Sequence, residues 1–418
     1  MVVVAKTFSM KVGPRFFSDV SAELRKCTAL ISGYGKQRDV WRAIDVLTSL
    51  REKGLQPNVV VCSALIHACG TGRQWRRALS LLADMQEEYL HPNLITYNSS
   101  ISACEKSQQW APALQVLHTI RQRTFRPDLT TYNAVLSALT TSHRWAQSHA
   151  MLDEARLEGL APDVISYSAC ATSFEKAHQW AQGLGLLAEM RRHGVQANVI
   201  TYGALVSACE KGFRWPHALQ LVDDMQHHSI KKDLVTCNAL ISACEKGHEP
   251  ELALKVLRRM LASGPAPDVI SFNAAISAFE KGQLWLDALK VLSEVSERRL
   301  QPDNITFNAA MSACEKGMRW ERVLSLLSDM RAHGLKPNPI TCCVVILACS
   351  DASQTELAWQ LFLEMEESGL APDAPTVSRL LMECEQRLLL DRELALLPRI
   401  VALAGRRGGD DGPGGVLL

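Results

Sequence analysis

Tryptophan recurs in this sequence at intervals of 35 residues, and that period restricts the fold more than any other feature of the chain. The tryptophans in phase are Trp75, Trp110, Trp145, Trp180, Trp215, Trp285 and Trp320. The hexapeptide Ile-Ser-Ala-Cys-Glu-Lys occurs at Ile101 and again at Ile241, and Pro-Asp or Pro-Asn pairs keep the same interval. No insertion or deletion breaks the register between Leu24 and Asp373, so this stretch consists of ten consecutive units of 35 residues.

Each unit carries two apolar stripes with helical spacing. Positions within a unit are numbered as phases, and phase 1 is Leu24, Val59, Leu94, Leu129, Val164, Val199, Leu234, Val269, Asn304 or Pro339. In one unit, Tyr97, Ile101 and Cys104 follow one another at spacings of four and three residues, and a second stripe starts at Trp110. A single helix pair cannot bury these stripes. The sequence therefore predicts an all-α fold, an α-solenoid of stacked antiparallel helix pairs in which the tryptophans are packing residues.

Glycine lies near the end of the second predicted helix in six units, and a proline follows three residues later in most of them. The six are Gly54, Gly159, Gly194, Gly264, Gly334 and Gly369. Glycine at this place fits a left-handed C-terminal cap, and the proline cannot continue the helix. We therefore expect a left-handed backbone at all six.

The chain divides into four segments by sequence pattern. Residues 1–23 lack the repeat, and their basic and serine residues are compatible with an organellar transit segment or an N-terminal cap. Residues 24–373 hold the ten repeats, and residues 374–404 imitate a further helix pair that would cap the stack. Residues 405–418 contain six glycines and no apolar period, so we expect a disordered tail.

Composition and motifs exclude several classes of function. With 45 basic and 44 acidic residues, the formal charge is only +1, so bulk charge does not indicate a strongly basic nucleic-acid binder. No stretch approaches the roughly 20 apolar residues of a membrane helix. The sequence has no Cys-x-x-Cys, no phosphate-binding loop and no Gly-x-Ser-x-Gly elbow. After Asp373 fewer than 50 residues remain. We therefore expect no metal, no cofactor, no membrane partner and no enzyme activity.

Seven of the 13 cysteines occupy phase 11 of the first helix, on its apolar face. They are Cys69, Cys104, Cys209, Cys244, Cys314, Cys349 and Cys384. Cysteine behaves there as a small apolar side chain. Neighbouring repeats would place these residues a helix-packing distance apart, which exceeds the roughly 7 Å between Cα atoms that a disulfide allows. We therefore predict structural thiols.

The opposite face of the first helix is patterned although packing does not require it. Phase 2 is a β-branched aliphatic residue in eight units, and we call this side chain the aliphatic wedge. The eight are Val60, Ile95, Ile165, Ile200, Val235, Ile270, Ile305 and Ile340. Phase 13 is lysine in seven: Lys36, Lys106, Lys176, Lys211, Lys246, Lys281 and Lys316. Phase 5 is Asn, Ser or Thr in eight units, and the last residue, here the closing residue, is always Asp or Asn. This pattern suits an extended single strand of RNA whose bases are contacted one per repeat. The lysines would neutralise its phosphates.

Each of these features has a structural alternative. Asp and Asn before a helix are excellent N-caps, so capping alone would explain the closing residues. The lysines follow glutamates, such as Glu105 before Lys106, so the row would also fit a solvated face of balanced charge.

The chain resembles the pentatricopeptide repeat (PPR) family from Leu24 to Asp373, on its 35-residue period and on motifs such as Leu94-Ile-Thr-Tyr-Asn98. The resemblance implies a right-handed superhelix that binds single-stranded RNA sequence-specifically, commonly organellar transcripts in a chloroplast or mitochondrion. In this family the phase-5 residue and the closing residue of a unit read one base. Asn with Asp favours U, Ser or Thr with Asn favours A, and Asn with Asn favours C or another pyrimidine.

Carried onto this chain residue by residue, the resemblance implies a ten-nucleotide target. Adenine would be preferred by Thr28/Asn58, Ser63/Asn93 and Ser168/Asn198. Uracil would be preferred by Asn98/Asp128, Asn133/Asp163, Asn238/Asp268 and Asn273/Asp303, and cytosine by Asn308/Asn338. Gly203/Asp233 and Cys343/Asp373 depart from the pattern and receive no base. The implied target is 5′-AAUUANUUCN-3′, bound by a monomer.

Two other functions stay open at this point. A protein-binding scaffold is the main alternative, because other helical-pair solenoids bind peptides, although a 34-residue period would have favoured it more than the 35 residues found here. The chain would also serve as a recruiter if RNA binding brought a separate RNA-processing enzyme.

Overall fold

In a computed structural model, the described residues are 14–123, 125–387, 389, 392, 394 and 396, and they form 21 helices and no strand. The helices are α1 (Pro14–Lys36), α2 (Val40–Glu52), α3 (Val59–Thr71), α4 (Trp75–Glu87), α5 (Leu94–Lys106), α6 (Trp110–Gln122), α7 (Leu129–Thr140), α8 (Trp145–Leu157), α9 (Val164–Lys176), α10 (Trp180–Arg192), α11 (Val199–Lys211), α12 (Trp215–His227), α13 (Leu234–Lys246), α14 (Pro250–Ser263), α15 (Val269–Lys281), α16 (Trp285–Glu297), α17 (Asn304–Lys316), α18 (Trp320–Ala332), α19 (Pro339–Asp351), α20 (Thr355–Glu367) and α21 (Ala374–Gln386).

The helices belong to two compact units, one up to Ala208 and one from Cys209. In the first unit, α1, α3, α5, α7 and α9 pack successively on one another, and each also packs on the helix that follows it in the chain. In the second unit, α13, α15, α17, α19 and α21 form the same kind of row. Each unit is therefore a stack of helix pairs, and the predicted all-α solenoid is confirmed.

The core of each repeat combines the apolar faces of its two helices, and Ala113 and Ile120 of the second helix α6 are completely buried. Tyr97, Ile101 and Cys104 of α5 are completely buried. Burial of one such large side chain stabilises the fold by about 1.5–3 kcal/mol. The tryptophan that opens a second helix lies over the turn of the next repeat, where Gly317 leaves room for Trp285: a Cβ at Gly317 would lie 2.5 Å from Trp285 Cδ1. This packing explains why the tryptophans keep one phase.

The helix starts follow the repeat except at the N-terminus. Nine first helices, α3 to α19, begin at the residue assigned to phase 1. The first helix, α1, begins at Pro14 instead of Leu24. Glu23 stands where the other repeats have a closing Asp or Asn, so no cap starts a new helix there. Helix α21 begins the segment expected to cap the stack. Most of residues 388–404, and the whole predicted tail of residues 405–418, lie outside the described residues.

The expected left-handed backbone occurs at five of the six glycines, with φ between 70° and 80° at Gly54, Gly159, Gly194, Gly334 and Gly369. The prediction is wrong for Gly264, which has a φ of −102° and a ψ of −169°. Pro265 follows it directly. The proline ring restricts the preceding residue to extended conformations, so Gly264 ends α14 with an extended residue.

The turn between the two helices of each repeat has a left-handed residue that is not glycine. Its φ lies between 55° and 60° at Arg38, Arg73, Gln108, His143, His178, Phe213, His248, Gln283, Met318 and Ser353. We expect Met318→Gly to raise the free energy of unfolding by about 0.5–1 kcal/mol, because glycine adopts this conformation without strain. Met382→Gly, at an exposed position within α21, is the control and should lower the free energy of unfolding by about 1 kcal/mol. Urea denaturation measures both, and destabilisation by Met318→Gly would contradict the prediction.

All 13 cysteines lie among the described residues and none forms a disulfide. Burial raises the pKa of the Cys69, Cys104 and Cys314 thiols to about 11. Only thiolates react readily. At pH 8 we therefore expect a thiol reagent to modify half-buried Cys27 first in the native protein, and all 13 after denaturation. Rapid native modification of Cys104, detected by mass spectrometry, would show that α5 opens.

None of the helices in the described part of the chain combines the length and apolarity needed to cross a membrane. Residues 14–387, apart from 124, and the four further described residues bring together no group of three His, Cys, Asp or Glu side chains that would hold a metal ion.

Candidate nucleic-acid interface

The phase-2 side chains form an exposed aliphatic row on the first helices. Their exposed fractions lie between 60% for Val60 and 69% for Ile95, and the other six, Ile165, Ile200, Val235, Ile270, Ile305 and Ile340, fall within that range. The residues that follow them in sequence, such as Thr96 and Tyr97, are completely buried. Eight large aliphatic side chains at one phase therefore face solvent without serving the core.

The closing residue of every repeat caps the next first helix. Its side-chain oxygen accepts a hydrogen bond from the main-chain N–H three residues later, at N–O distances of 2.8–3.0 Å, as between Asp303 and Thr306. The ten caps are Asn58, Asn93, Asp128, Asp163, Asn198, Asp233, Asp268, Asp303, Asn338 and Asp373. The capping role considered from the sequence is thus present in all ten.

Four of these caps are carboxylates with a lowered pKa. Burial opposes ionisation of Asp128, Asp163, Asp268 and Asp303, but hydrogen bonds from neighbouring Ser, Thr and Asn residues outweigh it, and the pKa of each lies below its usual value. An ionised carboxylate accepts hydrogen bonds and donates none. Each of these caps therefore presents only acceptors at neutral pH.

Six of the eight residue pairs assigned a base are in direct contact. Asn273 Nδ2 donates to Asp303 Oδ1 at 3.2 Å, and the same contact joins phase 5 to the closing residue in four other Asn repeats, at 3.2–3.3 Å. These repeats are Asn98/Asp128, Asn133/Asp163, Asn238/Asp268 and Asn308/Asn338. In the sixth pair, Ser168 Oγ lies 3.3 Å from Asn198 Oδ1, and it donates to the main-chain oxygen of Val164 at 2.6 Å.

The first two assigned pairs lack the contact between phase 5 and the closing residue. Thr28 Oγ1 donates to the main-chain oxygen of Leu24 at 2.8 Å, and Ser63 Oγ donates to that of Val59 at 2.7 Å. Among the described residues, neither hydroxyl bonds to Asn58 or Asn93. The structure therefore does not bring Thr28/Asn58 or Ser63/Asn93 together as it does the other six pairs.

Sequence reasoning missed a third member of the arrangement at phase 3. This residue is Ser or Thr in eight repeats and at the same place in α21, and it is at most 1% exposed: Thr96, Thr131, Ser166, Thr201, Thr236, Ser271, Thr306, Thr341 and Thr376. Thr306 Oγ1 lies 2.6 Å from Asn273 Oδ1 and 2.8 Å from Asp303 Oδ1. The signal was available, because a hydroxyl recurs between an aliphatic and an apolar core position.

The lysine row divides into paired and unpaired members. The Nζ atoms of Lys246, Lys281 and Lys316 lie 2.9 Å from a carboxylate oxygen of the preceding repeat, in Glu210, Glu245 and Glu280. Lys211 also interacts with a neighbouring residue. Within the described residues, Lys36, Lys106 and Lys176 have no ion pair, and Lys36 and Lys106 are exposed. Exposed ion pairs are worth about 0.2–1 kcal/mol, so the pairs weaken a lysine's contribution to a phosphate contact without abolishing it.

Comparison with known proteins decides the family. A family model described as pentatricopeptide repeat domain matches residues 18–72, 46–107, 80–142, 115–171, 220–281 and 325–386, more than half of the chain. The chain belongs to the pentatricopeptide repeat family. A second model, described as PPR repeat, matches residues 200–230 and 305–335 of this PPR protein. Comparison with curated proteins gave no significant match.

Two solved structures with the same fold are those of PPR10. The crystal structure of the pentatricopeptide repeat protein PPR10 from maize is 20% identical, with a TM-score of 0.64, and covers 94% of this chain. The crystal structure of PPR10 in complex with an 18-nt psaJ RNA element is 20% identical, with a TM-score of 0.61, and covers 92%. This chain spans 61% and 62% of those two chains, respectively.

Proposed function

We propose that this PPR protein binds single-stranded RNA sequence-specifically and reads one base per repeat. The observation that carries the proposal is the recurrence, at the same phases, of an exposed aliphatic side chain beside a hydrogen-bonded polar pair. In one repeat Ile270 is 63% exposed, and Asn273 and Asp303 are joined at 3.2 Å. The aliphatic wedge contacts the face of a base, and the polar pair offers donors and acceptors to its edge.

The site residues keep the roles that the family resemblance implies. Asn/Asp repeats read U, Ser or Thr with Asn reads A, and Asn308/Asn338 reads C, which gives the target 5′-AAUUANUUCN-3′. The six contacting pairs support their assignments, whereas Thr28/Asn58 and Ser63/Asn93 depend on the resemblance alone. PPR10 in complex with an RNA element supports the choice of ligand class.

In this proposal the protein acts by binding RNA and does not itself catalyse a reaction. The protein occupies or remodels an organellar transcript, in a chloroplast or mitochondrion, and so protects an RNA end or exposes a processing site. This location is the one usual for the family. The predicted transit segment begins within residues 1–13, which lie outside the described residues.

Selection from a random RNA pool tests the proposed function directly. Incubation of the full chain with the pool, recovery of bound RNA and sequencing should enrich 5′-AAUUANUUCN-3′, with the strongest enrichment at the positions of the six contacting pairs. A scrambled RNA of the same composition is the control in direct binding. Enrichment of no sequence by the folded protein would contradict the proposal.

The division of the lysine row predicts unequal salt dependence. Lys106→Gln should reduce the slope of log affinity against log salt by about 0.7, the value for one phosphate contact with a single strand. Lys281→Gln should reduce it less, because Lys281 is held 2.9 Å from Glu245. Titrations at several salt concentrations measure both slopes. An unchanged slope in Lys106→Gln would remove that lysine from the phosphate contacts.

A further inference from the structure

The buried hydroxyls at phase 3 follow the polar pairs from repeat to repeat. Thr306 Oγ1 lies 2.6 Å from Asn273 Oδ1, Thr131 Oγ1 lies 2.6 Å from Asn98 Oδ1, and Thr341 Oγ1 lies 2.7 Å from Asn308 Oδ1. Each hydroxyl therefore reaches across to the first helix of the preceding repeat. In four repeats the same hydroxyl also accepts from the main-chain N–H of the cap and completes a capping box, as Thr306 Oγ1 does for Asp303 N at 3.1 Å. The hydroxyl therefore joins the start of its own helix to the polar side chain of the preceding repeat.

The hydroxyl and the cap together define which way the Asn amide faces. Asn273 Nδ2 donates to Asp303 Oδ1, and Asn273 Oδ1 accepts from Thr306 Oγ1. In the reversed orientation, Asn273 Oδ1 would face an ionised carboxylate at 3.2 Å, and the Thr306 hydroxyl would keep only Asp303 Oδ1, at 2.8 Å, as an acceptor. With both partners in place, one Nδ2–H and one lone pair of Oδ1 remain at defined positions.

One repeat shows what happens to the hydroxyl when phase 5 offers no polar side chain. Thr236 follows the repeat whose phase-5 residue is Gly203, which has no side chain. Thr236 Oγ1 is buried and has no hydrogen-bond partner within the described residues. Without a polar side chain at phase 5 of the preceding repeat, this hydroxyl therefore has no hydrogen-bond partner among the described residues.

We propose that the phase-3 hydroxyls are positioning residues that fix the phase-5 amide and so sharpen discrimination between uracil and cytosine. Uracil presents a carbonyl acceptor at position 4, where cytosine presents an amino donor. An amide that turns freely satisfies either group, whereas a fixed amide matches only one. This inference rests on the proposed function, and it adds Thr131, Ser166, Ser271 and Thr306, which lie beside the four Asn/Asp pairs, to the residues that determine specificity.

The test replaces one hydroxyl by a methyl group in the full chain. Thr306→Val keeps the shape of the side chain and the hydrogen bond from its own main-chain N–H to Asp303, but it removes the acceptor of the Asp303 main-chain N–H. Val61 shows that valine fits this position. Binding is measured to two RNAs that differ only by U or C opposite Asn273/Asp303. We expect Thr306→Val to reduce the ratio of U to C affinity about fivefold, as expected for loss of one neutral hydrogen bond. Thr306→Ser should restore it.

Thr236→Val is the matched control, because it removes a hydroxyl that has no partner among the described residues. It should leave every base preference unchanged. If Thr306→Val does not fold, Ser271→Ala removes the hydroxyl beside Asn238 and provides the same measurement one repeat earlier.

The outcomes separate the inference from the proposed function. An equal loss of affinity for U and C in Thr306→Val would assign the hydroxyl a structural role and overturn the inference. An unchanged ratio, in a protein that does prefer U, would also overturn it. Absence of any preference in the unmodified chain would instead overturn the proposed function, and the inference with it.

Discussion

Changing Asn238 to Thr and Asp268 to Asn will shift the preference of one repeat from uracil to adenine, by about 1–3 kcal/mol if the pair acts as a good base contact. The double variant keeps an N-cap, because Asn replaces Asp268 without loss of the side-chain oxygen that accepts from Ser271 N. Fold and specificity are therefore separable at this repeat. Competition between RNAs that differ only opposite this repeat measures the shift.

The chain itself provides the template for this exchange. Ser168 Oγ lies 3.3 Å from Asn198 Oδ1 and 2.9 Å from Thr201 Oγ1, so a hydroxyl at phase 5 already fits between a closing Asn and a phase-3 hydroxyl. As control, the preference opposite Asn273/Asp303 should stay at uracil in the same variant. An unchanged uracil preference opposite the altered repeat, in a folded protein, would remove the assignment of phase 5 and the closing residue to base reading.

Regular features of the repeat could be predicted because they depend on short-range rules. The first-helix starts follow from an Asp or Asn cap before an apolar stripe, which is why α3 to α19 begin where the period places them. Solvent exposure of Ile95 and its equivalents follows from helical geometry, because phase 2 lies opposite the apolar face. These features need no knowledge of how one repeat sits on the next.

Features that depend on contacts between repeats could not be predicted from the sequence, or could be predicted only in part. Glu245 precedes Lys246 in sequence, but the carboxylate lies beside Lys281 of the following repeat. The hydroxyl of Thr306 likewise finds its partner 33 residues earlier, in Asn273. Sequence spacing within one helix does not specify such contacts, because they depend on how adjacent helices are rotated and shifted. Gly264 differs for a local reason, the proline that follows it.

Two nearby side chains of α15, Phe272 and Ile270, should affect different properties of the protein: Phe272 its stability and Ile270 its RNA affinity. Phe272 is completely buried, so Phe272→Ala should lower the free energy of unfolding by about 3–5 kcal/mol through lost burial and the cavity left behind. In a solenoid each repeat contacts only its neighbours, so the loss is concentrated near α15. Hydrogen exchange, resolved by peptide, compares the variant with the unmodified chain. The variant should exchange faster in α13, α15 and α17, with little change in α20. Uniform acceleration along the chain would contradict the local character of the effect.

Ile270→Ala is the matched substitution two residues earlier. Its side chain is 63% exposed, so the free energy of unfolding should change by no more than about 0.5 kcal/mol. If Ile270 supports the face of a base, affinity for the target RNA should nevertheless fall about fivefold, near the lower bound for loss of a base-stacking contact. A loss of stability as large as that of Phe272→Ala would place Ile270 in the packing between repeats. Unchanged RNA affinity would remove the aliphatic wedge from the binding surface, whatever the polar pairs do.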